Sequence, residues 1–345
     1  MAVSVLSMEL LLLNLEMWKI NMSIEKLYVV IPCYNEEEVL NETAKRMKEK
    51  MTSLIEAGKI SPESKVMFVN DGSRDATWSI IESLHNEDRL FYGINLSRNR
   101  GHQNALLAGL MVAKEYADMV VSMDADLHDD IDAIDEMVDK YYEGNDIVYG
   151  VRNKRETDTF FKRTTAQLFY KMMKALGVDT VYNHADYRLM SRRALEELAR
   201  FGEVNLFLRG MVPLIGFRSD VVYYDRSERF AGESKYPLKK MLAFAVEGIT
   251  SLSIKPVRMI TALGFGVFFV SIIMLIYSLV QKFTGNVVEG WSSLIVSIWA
   301  IGGAVILSIG VIGEYIGKIY LETKARPKYI IETKLVDDDG DEETE

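Results

Sequence analysis

Short apolar runs alternate with amphipathic stretches between about residues 24 and 151. The runs have the length of strands, and the segments between them are long enough for crossover helices. Strands that alternate with helices are typical of a mostly parallel sheet covered by helices, whose ligands collect at the carboxyl ends of the strands. We therefore predict an α/β domain with a site at that edge. The predicted strands are Leu27–Ile31, Val66–Val69, Gly93–Leu96 and Met119–Met123.

Two longer apolar segments follow nearer the C-terminus. Residues 260–280 and 291–313 contain no charged side chain, and at ~1.5 Å per residue each is long enough to cross a hydrocarbon layer of ~30 Å. A pair of buried core helices is the alternative, which the length and the absence of charge disfavour. Basic residues flank both outer ends of this pair, whereas the connecting loop holds one, so the positive-inside rule predicts cytoplasmic termini.

Composition narrows the class of protein. The formal net charge of −10 at pH 7 comes largely from the last nine positions, and no basic domain of the kind that binds nucleic acid is present in the sequence. The single cysteine, Cys33, cannot form an intramolecular disulfide, which favours a reducing compartment. We therefore expect no nucleic-acid partner and an integral membrane protein whose main domain is cytoplasmic.

These patterns divide the chain into six segments. Residues 1–22 are an N-terminal extension that does not fit the domain pattern, and residues 23–235 are the cytoplasmic α/β domain. An interfacial juxtamembrane helix is predicted at 236–257, a transmembrane hairpin at 258–316, a cytoplasmic segment with a possible strand at 317–336, and a disordered acidic tail at 337–345.

Polar clusters follow the first three predicted strands. They suit the base, ribose or phosphates of a nucleotide, although turns and helix caps favour the same residue types. Arginines beside the third cluster either face phosphates or form a solvated basic loop. The candidate donor-binding residues in these clusters are Pro32, Tyr34, Asn35, Glu36, Asp71 and Gly101.

The fourth predicted strand ends in Asp124-Ala125-Asp126, with His128 close behind. Alternating carboxylates on an extended backbone share a side and repel one another unless a cation or proton intervenes. Hard oxygen ligands of this kind are typical of Mg²⁺ or Mn²⁺ bound to substrate phosphates. We predict Asp126 and Asp124 as metal ligands, with His128 as a possible third. A helix cap or a calcium loop is the alternative, but the ligand spacing of an EF-hand is missing.

Together, the motifs Pro32–Glu38, Asn70–Ser73 and Asp124–Asp126 resemble those of family-2 glycosyltransferases with the Rossmann-like GT-A fold. More narrowly, residues 24–328 resemble the polyprenyl-phosphate branch, which includes dolichol-phosphate mannosyltransferases and bactoprenol glucosyltransferases. The resemblance implies an inverting transfer in which Asp124, Ala125 and Asp126 bind the donor diphosphate through Mg²⁺ or Mn²⁺ and Asp71 holds the nucleotide. The sequence departs from the usual pattern in three places, with Asn70 in place of Asp, His128 in place of Gln, and Asp129-Asp130 in place of a proline-containing stretch.

The acceptor side of that branch is also represented. The run Asp186-Tyr187-Arg188-Leu189 is similar to the family's acceptor motif. By that resemblance Asp186 positions the acceptor or acts as a base, and Arg188 pairs with Asp186 or with phosphate; a purely structural Asp–Arg ion pair is equally compatible. Candidate phosphate- or acceptor-binding residues are Arg152, Arg163, Arg209, Arg226, Arg229, Ser234 and Lys235.

The resemblance implies transfer of a hexose from a nucleotide-sugar, with UDP-glucose favoured, to polyprenyl phosphate at the cytoplasmic face of the cell membrane, or of the ER membrane in a eukaryote. GDP-mannose-dependent transfer to dolichyl phosphate is the alternative within this class. A polysaccharide synthase lacks support because the Gln-x-x-Arg-Trp motif is missing from the sequence. A non-catalytic, membrane-tethered nucleotide-sugar sensor or scaffold is the alternative of another class.

Exchange of Thr323–Thr333 between subunits would assemble a homotetramer.

Overall fold

The computed structural model describes residues 24–152, 184–225, 255–284 and 290–337. Eight strands form one sheet in the order β7-β5-β6-β4-β1-β2-β3-β8. All of them except β6 and β8 run in the same direction, which confirms the mostly parallel sheet. The strands are β1 Leu27–Cys33, β2 Lys65–Asn70, β3 Phe91–Leu96, β4 Met119–Ser122, β5 Ile147–Arg152, β6 His184–Ser191, β7 Ser219–Tyr224 and β8 Ile331–Leu335.

Helices connect and cover these strands. The helices of the α/β domain are α1 Leu40–Glu56, α2 Thr77–Glu87, α3 His102–Tyr116, α4 Ala133–Tyr142, α5 Arg192–Ala199 and the short α6 Leu208–Met211, followed by a 3-10 turn at Val212–Ile215. Two long helices follow β7 and precede β8 along the chain, namely α7 Lys255–Phe283 and α8 Trp291–Lys324.

The core consists of two apolar layers, one on each face of the sheet. All seven residues of β1 are buried, as expected for a strand covered on both faces. Because side chains alternate along a strand, Leu27, Val29 and Ile31 enter one layer with α1, whereas Tyr28 and Val30 enter the other with α3. Burial on both faces fixes the register of the central strands, and with it the edge at which their polar ends meet.

Helices α7 and α8 are long and apolar enough to cross a membrane. The window Lys255–Met274 has a mean hydropathy of 2.1, the window Ala300–Lys324 has 1.7, and neither is buried within the described chain. Helix α7 begins five residues before the predicted span at 260, and α8 continues eleven residues beyond position 313. Positions 236–254 of the predicted interfacial helix lie outside the described residues.

The chain returns to its own sheet after the second long helix. Strand β8 pairs antiparallel with β3, with Gly93 opposite Leu335 and Ile94 opposite Lys334. Asp337 bonds to Lys65 Nζ at 3.3 Å, Arg89 Nη1 at 2.8 Å and the Tyr92 hydroxyl at 2.9 Å. Asp337 therefore belongs to the folded domain rather than to the predicted disordered tail, whose remaining residues lie outside the description. Strand β8 pairs with β3 of its own chain here. Exchange of this segment between subunits, and the homotetramer that it would form, therefore stay predictions.

Candidate active site

The loops that follow β1 and β2 are bonded to each other at the carboxyl edge of the sheet. The Asn35 N–H donates to Ser73 Oγ at 3.0 Å, and the Arg74 N–H donates to Asn35 Oδ1 at 3.0 Å. Asn35 has a φ of 55°, a left-handed conformation that asparagine tolerates better than most residues. The Glu36 N–H donates to Thr77 Oγ1 at 2.9 Å. The candidate donor residues of these two loops thus form one unit, from which Tyr34 projects into solvent.

Asp71 ties this unit to the loop that follows β3. Its two carboxylate oxygens accept the N–H groups of Arg100 at 2.7 Å and Gly101 at 2.9 Å. Burial raises the pKa of Asp71 above its ordinary value despite these two bonds. The adjacent Gly72 has a φ of +62°, and a Cβ there would lie 2.5 Å from the Asn99 nitrogen. Asp71 therefore shapes the loop, and its contact with a nucleotide stays a prediction.

The loop after β4 carries the metal-ligand candidates in a strained conformation. Leu127 has a φ of 56°, which costs a residue with a Cβ roughly 1–2 kcal/mol. Strain of this kind is concentrated at functional sites. The loop is anchored because Thr43 Oγ1 donates to the Ala125 carbonyl at 2.8 Å. His128 lies beside Asp126, with its Nε2 at 3.5 Å from Oδ2 and its N–H donating to Oδ1 at 3.2 Å.

The electrostatics of this loop favour a cation. Burial raises the pKa of Asp124 to about 6, and although His102 opposes the shift, the neighbouring Asp129, Asp186 and Asp126 carboxylates add to it. A carboxylate that several others repel gains most from a divalent ion. Among the residues described here, no three His, Cys, Asp or Glu side chains form a complete metal cluster. The pair Asp124 and Asp126 fits a Mg²⁺ or Mn²⁺ ion whose shell is completed by substrate phosphate and water.

Asp186 on β6 is held by two arginines. Its Oδ1 lies 3.0 Å from Arg188 Nη2, and Arg209 grips both oxygens, with Nη2 at 2.9 Å from Oδ2 and Nε at 3.2 Å from Oδ1. Burial alone would raise the pKa of Asp186, but Arg209, His102 and Arg188 together hold it well below the ordinary value. A carboxylate with so low a pKa is a poor proton acceptor. The structure thus contains the Asp–Arg ion pair and disfavours the general base.

His102 joins the two acidic motifs, although it was not among the site residues predicted from the sequence. It is the first residue of α3, and its Nε2 lies 3.6 Å from Asp124 Oδ1 and 3.5 Å from Asp186 Oδ2. Burial lowers the pKa of His102, but Asp186 and Asp124 outweigh burial and raise it above the ordinary value. The available signal was a histidine opening a helix at the carboxyl edge of the sheet, directly after Gly101. Spacing alone gave it no partner.

Arg152 lies in a separate buried cluster. Its Nη2 is 3.2 Å from Asp129 Oδ1, which also accepts the Tyr224 hydroxyl at 2.5 Å. Arg152 Nε donates to the same hydroxyl at 3.2 Å. Arg152 therefore forms an ion pair within the domain, and its role in phosphate binding stays a prediction. Arg209 is likewise paired, but its side chain is 36% exposed. The remaining acceptor candidates, Arg163, Arg226, Arg229, Ser234 and Lys235, lie outside the described residues.

A family match and several relatives assign the chain to a class of protein. Residues 28–199, which run from β1 to the end of α5, match the sequence model described as "Glycosyl transferase family 2". The chain belongs to this family and is a glycosyltransferase, and the predicted GT-A type fold is confirmed.

Particular relatives cover nearly the whole chain. An uncharacterized glycosyltransferase of Bacillus subtilis, YkoT, is 55% identical over 90% of this chain and 92% of its own. The bactoprenol glucosyl transferase of Shigella phage SfV is 40% identical over 90% of this chain and 99% of its own. Among solved structures, the mannosyltransferase PcManGT of Pyrobaculum calidifontis has a TM-score of 0.42 at 15% identity, over 87% of this chain and 86% of its own.

Proposed function

We propose that this glycosyltransferase moves a hexose from a nucleotide-sugar, with UDP-glucose favoured, to polyprenyl phosphate at the cytoplasmic face of a membrane. The phage relative is named for glucosyl transfer to bactoprenol, and this chain covers 99% of its length. Helices α7 and α8 supply the apolar length that anchoring beside a lipid acceptor requires.

One observation carries the proposal. His102 Nε2 lies within 3.6 Å of both Asp124 in the donor motif and Asp186 in the acceptor motif. Motifs that resemble donor and acceptor sites thus meet at one point of the sheet edge. Group transfer needs this proximity, because holding two reactants together removes most of the entropic cost of their encounter.

On the donor side, Asp124 and Asp126 would hold Mg²⁺ or Mn²⁺ against the diphosphate, and the ion would offset the negative charge that develops on the leaving group. The bonded loops around Asn35 and Asp71 form a preorganised wall for the nucleotide. His102 holds the two carboxylate motifs at a fixed separation, which brings the donor side next to the acceptor side.

On the acceptor side, a lipid phosphate brings its own nucleophile. With a second pKa near 6, a phosphate monoester is largely ionised at neutral pH and needs no strong base. Its oxygen attacks the anomeric carbon with inversion as the bond to the diphosphate breaks, giving a polyprenyl-phosphate sugar and a nucleoside diphosphate. Arg209 retains an exposed face for the phosphate, and Asp186 fixes its guanidinium. The low pKa of Asp186 supports a positioning role rather than proton transfer.

The test is transfer by the purified full-length protein in lipid nanodiscs. We would supply a panel of UDP- and GDP-sugars, Mg²⁺ or Mn²⁺ and polyprenyl phosphate, and analyse the lipids by mass spectrometry. We expect one UDP-hexose to give a lipid-phosphate sugar, and Asp126→Ala to abolish it. As a matched control, Asp132→Ala changes an exposed aspartate of the same segment whose partner is Lys50. Failure with every donor, despite confirmed folding and nucleotide binding, would rule out this acceptor.

A further inference from the structure

Helix α8 is bonded to the catalytic domain through the Glu322 carboxylate in its last turn, and one turn earlier through the Lys318 carbonyl, which accepts the Asn205 side-chain amide at 3.5 Å. Glu322 accepts the N–H of Val204 at 2.8 Å on one oxygen, and the N–H of Asn205 at 2.9 Å on the other. That second oxygen also accepts the Asn205 side-chain amide at 2.6 Å. Since backbone N–H groups of the catalytic domain are the donors, this turn of α8 lies at the domain rather than in hydrocarbon.

The placement of Glu322 is not explained by the helix itself. A negative charge in the last turn opposes the helix dipole, whereas a lysine such as Lys324 in the same turn complements it. The three bonds to residues 204 and 205 are what compensates this position. A further bond supports the same loop from a residue that follows the helix, because Lys328 Nζ donates to the Phe201 carbonyl at 2.9 Å.

The bonded loop leads directly to the candidate acceptor site. Leu206, Phe207 and Leu208 are buried, so the segment between Asn205 and Arg209 cannot shift without disturbing the core. The Leu208 N–H donates to Gln103 Oε1 at 2.8 Å, which connects the loop to the residue after His102. Arg209 then grips both oxygens of Asp186.

We propose that Glu322 is a positioning residue, which couples the membrane anchor to Arg209 and thereby sets the acceptor site at the height of a lipid phosphate. This proposal rests on the proposed function, and it adds a residue that touches neither substrate. Its physical basis is a short path from the anchor helix to the Arg209–Asp186 pair, in which Asn205 is bonded to Glu322 and the three residues that follow it are buried.

The experiment compares Glu322→Ala, Glu322→Gln and Asn205→Ala in the full chain in nanodiscs, with Glu203→Gln as the matched control. Glu203 is exposed and adjacent to the bonded N–H groups, and its change is the same carboxylate-to-amide substitution. We expect Glu322→Ala to raise the KM for polyprenyl phosphate about tenfold, which corresponds to ~1.4 kcal/mol. The kcat at saturating acceptor and the Kd for the nucleotide-sugar should change less than about twofold. Asn205→Ala keeps both backbone N–H bonds to Glu322 and removes only the side-chain amide with its bonds to Glu322 and to the Lys318 carbonyl, so it should have a smaller effect.

Hydrogen exchange gives a second readout that does not depend on activity. The amides of Val204 and Asn205 should lose protection in Glu322→Ala, and peptides covering 206–210 should follow, while Glu203→Gln should match the wild type. Unchanged protection, or equal KM values for Glu322→Ala and Glu203→Gln, would overturn the coupling. If Glu322→Ala fails to fold, Glu322→Gln and Asn205→Ala decide by the same two readouts. A wild type that transfers no sugar to polyprenyl phosphate would sink the proposed function, whereas exchange would still report on the coupling.

Discussion

The ion pair around Asp186 allows a quantitative test of whether this carboxylate is structural. In Asp186→Asn, Arg188 and Arg209 lose their shared counter-charge while the shape of the side chain is kept. Arg188 is only 1% exposed, so its charge cannot be solvated in place of the lost partner. Arg209 is 36% exposed and can turn towards water. The cost of the substitution therefore falls mainly on Arg188.

The magnitude follows from what is known of buried pairs. Removing one partner of a buried ion pair costs about 3–5 kcal/mol, because the remaining charge is left without compensation. For a domain of this size, 1 kcal/mol shifts the unfolding midpoint by ~2–4 °C, so Asp186→Asn should lower it by roughly 6–20 °C. The double variant Asp186→Asn/Arg188→Met removes both charges and should recover much of this loss.

The assay is thermal and urea unfolding of the full chain in detergent, followed by tryptophan fluorescence and completed as a double-mutant cycle. The control is Glu42→Gln, which breaks the exposed i,i+4 pair with Arg46 and should change the free energy of unfolding little, because exposed ion pairs are screened by water. If Asp186→Asn lowers the free energy of unfolding no more than Glu42→Gln does, the buried pair of Asp186 and Arg188 does not stabilise the fold. If the double variant is no more stable than Asp186→Asn, the cost does not arise from an orphaned Arg188.

Three further outcomes are expected. His102→Ala should lower sugar transfer about 10-fold to 100-fold with the nucleotide-sugar Kd nearly unchanged, because the donor and acceptor motifs lose their link; equal loss of donor binding would contradict this. Gly72→Ala should lower the free energy of unfolding by about 1–3 kcal/mol, since its φ is +62° and its Cβ would collide with the backbone at Asn99, whereas Gly202→Ala, which has open space, should be nearly neutral in the same urea titration. Finally, with the pKa of Asp124 raised to about 6, the carboxylate form predominates only above that pH, so Mn²⁺-dependent nucleotide-sugar binding measured by calorimetry should weaken towards about tenfold per pH unit below 6. Binding that is independent of pH between 5 and 7.5 would contradict this assignment.

The parallel half of the fold could be predicted from the sequence because its strands are buried on both faces. A strand such as β1, which is fully buried in the structure, is an almost uninterrupted apolar run in the sequence, and such a run predicts a buried strand. The rule that ligands collect at the carboxyl edge then located the loops that carry Asp71 and Asp124 without any knowledge of their contacts.

The pairings within the site could not be predicted in the same way. Asp186 meets Arg209, which is 23 positions away, because β6 inserts antiparallel beside β4 and places the acceptor motif next to the donor motif. His102 reaches the same place from a third element, since it is the first residue of helix α3. A one-dimensional pattern specifies the face of a strand but not which distant side chains share an edge. The same limit applies to α8, since hydropathy detects its apolar part and misses the last turn that carries Glu322.

Strand β8 also has a consequence for biosynthesis. Its pairing with β3 joins parts of the chain that are far apart, as the bond between Tyr92 and Asp337 across 245 positions illustrates. The ribosome must therefore deliver both apolar helices before the last strand of the sheet emerges. Until then β3 presents an open edge of unpaired N–H and C=O groups, a template for pairing with other chains. The two apolar helices thus emerge before the sheet gains its last strand, and a chain that stalls before that point would remain prone to aggregation at β3.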